Sequence, residues 1–188
     1  SLGSHVIILL MAAFMLSKAL ERANLHKRFA IYMLRLTGSG SPMKLILGFM
    51  ITTAVLSMWI SNTATILMML PMAIAIINAL DNPRFGVALI LGIAYSASVG
   101  GVGTPIGTPP NIIFMSVYEE TQGMEYSFID WMKTGIPIVT VAVPIMALWL
   151  ARGISVVGKI DLPEPGEWSH AEKRVLAIFG TVAMAWIF

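Results

Sequence analysis

Residues 57–65, Ser-Met-Trp-Ile-Ser-Asn-Thr-Ala-Thr, place five hydroxyl or amide side chains within nine positions in the middle of a long apolar run. The flanks, Leu45 to Ile60 and Ile66 to Leu80, read as membrane helices. A polar group left unpaired in hydrocarbon costs several kcal/mol by order of magnitude. Ser57, Ser61, Asn62, Thr63 and Thr65 therefore need partners elsewhere in the chain. A second stretch of the same kind is Gly-Gly-Val-Gly-Thr-Pro-Ile-Gly-Thr-Pro-Pro-Asn at 100–111. The two breaks are expected to meet and form half of a binding site.

Composition supports a membrane setting. Only 12% of the 188 residues are charged, against about 25% in soluble domains, so the chain is read as an integral, multi-pass membrane protein. With no cysteine, disulfide frameworks and thiolate metal sites are excluded. The net charge of +2 carries no sign of a nucleic-acid partner. Residues 1–4 supply no basic region ahead of the apolar run Val6 to Leu16, so no signal peptide is expected. The apolar run Val175 to Phe188 is shorter than the roughly 20 residues of a span, so the last helix reads as cut short and the chain as a fragment.

Taken in order, residues 1–17 read as a transmembrane helix. Residues 18–42 read as an amphipathic cytoplasmic arm and turn, in which Lys18, Arg22, Lys27, Arg28 and Arg35 interleave with apolar side chains. Residues 43–82 read as a helical hairpin: Met43 to Ile60, a break at 61–63, and Ala64 to Leu80. The hairpin competes with two full spans. A tip of Ser-Asn-Thr without charge, Gly or Pro makes a poor aqueous loop and favours a re-entrant hairpin at membrane depth. Residues 83–118 read as a discontinuous helix and 119–133 as an extracytoplasmic loop. A transmembrane helix at 134–151, a cytoplasmic connection at 152–170 and the start of a further span at 171–188 complete the chain. Six Lys or Arg lie between Lys18 and Lys44, whereas 118–133 holds Lys133 against four acids; the first segment is placed inside and the second outside.

Half-helix N-termini present unpaired N–H groups and a positive dipole end, while unwound stretches and helix C-termini present carbonyl oxygens. Carriers use the first for anions and the second for Na⁺. Ser61, Asn62 and Thr63 are N-cap residue types; Gly103, Gly107 and the Pro109-Pro110 pair prevent regular helix and free carbonyls. No Asp or Glu occurs between Lys44 and Leu80, and no Arg or Lys lies near either break in the sequence. An anion held there relies on hydroxyls, amides and helix ends, with bound cations lending positive charge. A simple cap at Ser-Asn-Thr and packing kinks at the Gly-Pro run are the bland alternatives. The glycines do not fit a dinucleotide fingerprint or a phosphate loop. His5, His26 and His170 are scattered at boundaries, and no nucleophile–His–acid set marks an enzyme.

At SMWISNTATILMMLP and GGVGTPIGTPPN the chain resembles the divalent anion–sodium symporter (DASS) family, over nearly its whole length. The resemblance implies an all-α inverted-repeat carrier, homodimeric, with a re-entrant hairpin and a broken helix in each repeat. It implies that the transport domain moves as an elevator against a scaffold containing residues 1–17. By motif position, Ser57, Ser61, Asn62 and the Gly107 carbonyl would hold Na⁺. Asn62, Thr63 and Thr108 would contact a substrate carboxylate, with Pro109 nearby. Thr108 stands where the family often has Ser. One Ser-Asn-Thr occurs here, so about one repeat is expected, with half of the site. The expected function is Na⁺-coupled symport of di- or tricarboxylates, C4 dicarboxylates foremost, across the plasma (inner) membrane. Sulfate or another oxyanion, proton coupling and a channel are the alternatives.

Overall fold

The computed structural model describes residues 5–23, 25–37, 41–155 and 166–187. They form eight helices: α1 His5–Arg22, α2 Leu25–Thr37, α3 Pro42–Ser57, α4 Asn62–Leu80, α5 Pro83–Gly100, α6 Pro109–Gln122, α7 Phe128–Leu150 and α8 His170–Ile187. No strand occurs among the described residues. Part of the turn at 37–42 and residues 156–165 of the hydrophilic connection lie outside them.

Local chemistry sets the helix ends. Ser41 and Asn82 each stand one residue before a proline at the first helical position, and their side-chain oxygens accept from Lys44 N (3.2 Å) and Phe85 N (3.1 Å). Asp81 closes α4 and Gly123 closes α6 in the left-handed conformation. Several limits differ from the sequence reading. The hairpin turn spans 58–61 and not 61–63, because Ser61 is the cap of α4 and Asn62 and Thr63 are already helical. α1 continues past residue 17 to Arg22, where Lys18 pairs with Glu21 at 2.6 Å. α6 extends through Glu119 and Glu120, and α7 starts at Phe128, capped by Ser127. The loop expected at 119–133 is thereby reduced to 123–127: polar residues in a first or last helical turn look like loop in composition.

α3 and α5 form the centre, with α4 and α7 against them and α2 along α3. Phe49, Met50, Met69, Phe85 and Leu89 are fully buried there. Lipid supplies no hydrophobic drive between helices, so close approach through small residues must hold them. Gly100 provides it: a methyl group at this position would fall on the Ala54 backbone of α3. α4, α5 and α7 are long and apolar enough to cross a membrane, whereas α3 has 16 residues, about 24 Å at 1.5 Å per residue. α1 and α8 touch each other at the margin of this packing.

The arm α2 is fastened to α8 by one buried ion pair. Arg28 Nε donates to Glu172 Oε1 at 2.9 Å and Nη2 to Oε2 at 3.2 Å. The same guanidinium donates to the carbonyls of Gly166 and Glu167 and lies 4.6 Å from the Trp168 ring centroid. Ser169 and Glu172 form a capping box, with Ser169 N donating to Glu172 Oε2 and Glu172 N to Ser169 Oγ. Glu172 precedes the apolar part of α8, which begins at Val175. The Arg28 guanidinium and the Ser169 amide hold its carboxyl down at about 2, against an ordinary 4.5. A depressed carboxyl stabilises the fold above its unfolded value and loses that contribution as pH falls towards its folded value. Glu172→Gln is therefore expected to lower the thermal midpoint by several degrees at neutral pH. The difference from wild type should shrink between pH 4.5 and about 2; a pH-independent difference over that window would contradict this account.

Candidate functional site

The hairpin turn and the α5–α6 connection meet at the end of the central packing. Ser57 is the last residue of α3 and fully buried. Its Oγ lies 2.6 Å from Asn62 Oδ1 and 2.7 Å from the Ala97 carbonyl oxygen. A hydroxyl carries one proton, so it donates to one of these oxygens while the other remains an oxygen–oxygen contact. Asn62 opens α4, and its carboxamide lies against Gly101, where a methyl group would sit 2.9 Å from Oδ1. The C-terminal ends of α3 and α5 thus converge beside the first turn of α4. Helix C-termini carry the negative end of the helix dipole.

The α5–α6 connection is held by residues without an assigned role in the sequence reading. Thr104 Oγ1 donates to the Met58 carbonyl of the hairpin turn at 2.5 Å. Asn111 Nδ2 reaches back to the carbonyls of Gly101 (2.7 Å) and Thr104 (2.9 Å). Trp131 of α7 donates from Nε1 to the Val102 carbonyl at 2.7 Å, and a methyl group on Gly135 would fall on the same carbonyl. Gly107 packs so closely on Gly101 that a side chain would enter its backbone. The repeat Gly-Thr-Pro at 103–105 and 107–109 was the available signal for Thr104: one threonine ties the loop and its twin remains unbound. Thr108 caps α6 in extended conformation, with no side-chain cap bond.

The expected site residues are spread over three places around this junction, with Thr108 at the start of α6. Ser57 and Asn62 share the oxygen cluster with Ala97 O. Ser61, Gly107 and Pro109 line a small cavity of about 20 Å³ together with Trp59 and Ile106, room for one water-sized species. Ser61 Oγ also caps Ala64 N at 3.3 Å. Thr63 is exposed and, with Ser61, faces an open cleft of about 560 Å³ against α1. There the structure corrects one expectation: Lys18 lines the same cleft, so a basic side chain does approach the first break, although Glu21 pairs with it. The fold brings Lys18 there from 43 positions before Ser61, a proximity that spacing does not reveal.

The donor set consists of hydroxyl, carboxamide and carbonyl oxygens, with N–H groups of Asn62 and Thr63 at the start of α4. Such oxygens suit a hard monovalent cation. Among the described residues no group of His, Asp or Glu is placed to hold a metal ion. The sequence model of the citrate transporter family matches residues 1–188. The chain belongs to the citrate transporter family. That is a family of carriers and not of enzymes, and the resemblance carried by the two motifs is borne out. The chain is 38% identical, over 207 aligned positions, to the sodium-dependent dicarboxylate transporter SdcS of Staphylococcus aureus strains USA300, NCTC 8325 and COL. The alignment takes in 98% of this chain and 40% of each relative. The chain thus spans about 40% of the length of the curated relatives it matches, and the helical architecture of its described residues fits part of a membrane carrier.

Proposed function

We propose that this chain forms the first-repeat half of a Na⁺-coupled symporter for di- and tricarboxylates, with C4 dicarboxylates such as succinate, malate and fumarate as its main substrates. The observation that carries the reading is the oxygen cluster in which Asn62 Oδ1 and Ala97 O lie 2.6 and 2.7 Å from Ser57 Oγ, set beside the first turn of α4. The relatives' name, sodium-dependent dicarboxylate transporter, supports both the ion and the substrate class.

Ser57, Ser61, Asn62 and the Gly107 carbonyl hold Na⁺; Asn62, Thr63 and Thr108 meet a substrate carboxylate, with Pro109 shaping its rim. Asn62 belongs to both sets, so the cation's charge and the carboxamide's orientation reach the anion through one residue. Each ligand then strengthens the other by the same factor, which is the basis of symport. A second repeat would supply the other half of the pocket. The packed hairpin and α5–α7 would move together as an elevator against α1 and α8, with α2 as the connecting arm, in a homodimer of the plasma membrane.

Competition tests the substrate class. Uptake of labelled succinate into liposomes holding the complete gene product should be suppressed by unlabelled succinate, malate and fumarate and weakly by sulfate. Suppression by sulfate at lower concentration than by any dicarboxylate would overturn the carboxylate assignment.

A further inference from the structure

Thr65 is fully buried, and its Oγ1 is the buried side-chain polar atom without a hydrogen-bond partner among the described residues. The contrast with the other buried hydroxyls is sharp. Thr52, Thr53 and Ser96 each donate to the carbonyl four residues back, at 2.6–2.7 Å. Ser57 reaches Ala97 O, and Thr104 reaches Met58 O. Thr65 has the same option in the Ser61 carbonyl, which accepts its backbone N–H at 3.0 Å, yet its hydroxyl is not bonded to it. A buried hydroxyl left unmade is destabilising, and in native proteins each such group points to strain, an ion, a water or a function.

The position of Thr65 supplies the partner. It lies on the face of α4 that also carries Met69, Ala73 and Ile76 into the packing. Asn62 is three residues earlier, hence one turn back on the same face. Helical side chains lean towards the N-terminus and cover the preceding turn, which for Thr65 is the turn that holds Asn62. Asn62 in that turn shares the Ser57–Asn62–Ala97 oxygen cluster already described.

We infer that the Thr65 hydroxyl is a further oxygen ligand of the cation that this cluster binds. The inference rests on the Na⁺ reading given above and extends its ligand set one turn into α4. A bound cation takes a lone pair of Oγ1, so the hydroxyl gains its partner only with the ion present. Thr65 thereby links cation binding to the packing of α4 on α3 and α5.

Valine is isosteric with threonine, and replacing a hydroxyl that has no partner by a methyl breaks no hydrogen bond, so the fold is expected to hold. Wild type, Thr65→Val and Thr65→Ser of the complete gene product are compared, with Na⁺ titrated against K⁺ at constant ionic strength. Two quantities are read: the thermal midpoint of the purified protein and the rate of succinate uptake. Thr65→Val should raise the Na⁺ concentration for half-maximal effect in both by about tenfold, with uptake at saturating Na⁺ within about twofold of wild type. Thr65→Ser should track wild type. A valine variant that is more stable in K⁺ but keeps the wild-type Na⁺ curve would overturn the proposal and leave Thr65 as a buried packing residue. A wild type whose midpoint and uptake both ignore Na⁺ would overturn the cation site itself, and the role of Thr65 with it.

Discussion

Asn62→Ala is expected to reduce Na⁺-driven uptake at least about a hundredfold, because in the proposed site this one residue supplies both a cation oxygen and a substrate contact. The fold should survive the change. Ser57, whose Oγ lies 2.6 Å from the Asn62 carboxamide oxygen, keeps the Ala97 carbonyl as an alternative acceptor at 2.7 Å. The cap of α4 is Ser61, which bonds Ala64 N independently of Asn62. The variant should therefore express, reach the membrane and melt in K⁺ within a few degrees of wild type, while its Na⁺-induced stabilisation disappears. Asn62→Asp tests the charge logic separately. A carboxylate in this position should strengthen cation attraction and repel the anion, so Na⁺ stabilisation should persist while succinate uptake falls. Uptake by Asn62→Ala within about threefold of wild type would remove the residue from the site.

The second large effect concerns the fold of the junction. Gly107→Ala should cost up to about 3 kcal/mol, the upper part of the range for overpacking a close contact. The added methyl meets the backbone of Gly101 and not the movable end of a side chain. The displaced segment carries the Gly107 carbonyl and leads into Thr108, so loss of stability and loss of Na⁺ response should appear together. Gly100→Ala should behave alike in stability, since its methyl meets the Ala54 backbone. Gly180→Ala is the control: beyond the helix's own backbone, its added methyl meets nothing within 4 Å among the described residues, and within helix α8 alanine is favoured over glycine by roughly 0.5–1 kcal/mol. Thermal midpoints of the three purified variants check the set. A Gly107→Ala protein as stable as Gly180→Ala would contradict the close packing of Gly107 on Gly101 within the α5–α6 connection.

The residues explain how far the sequence could be read. Polar side chains inside apolar runs stand out against composition, so both breaks and Asn62 were legible before any fold was known. Limits within Ser61-Asn62-Thr63 were not, because all three are good caps and composition cannot choose among them. Only the hydrogen bond from Ala64 N to Ser61 Oγ settles where α4 begins. The ties of the second break were hidden for another reason. Thr104 bonds Met58 across 46 positions, and Trp131 bonds Val102 across 29; such pairs depend on how helices stack, and no periodicity encodes them. Lys18 entered the cleft in the same way. Thr65 was noticed as polar, but its singularity appears only when the partners of every neighbouring hydroxyl are known.

The driving ion of uptake distinguishes a cation-linked anion site from a proton-driven carrier or a channel. The complete gene product is reconstituted in liposomes, and labelled succinate uptake is followed under an inward Na⁺ gradient, an inward K⁺ gradient or a pH gradient alone. Concentrative, saturable uptake is expected with Na⁺ and none with K⁺ or protons. Uptake of equal rate under all three, or driven by the pH gradient alone, would contradict the cation-linked anion site built around Ser57 and Asn62.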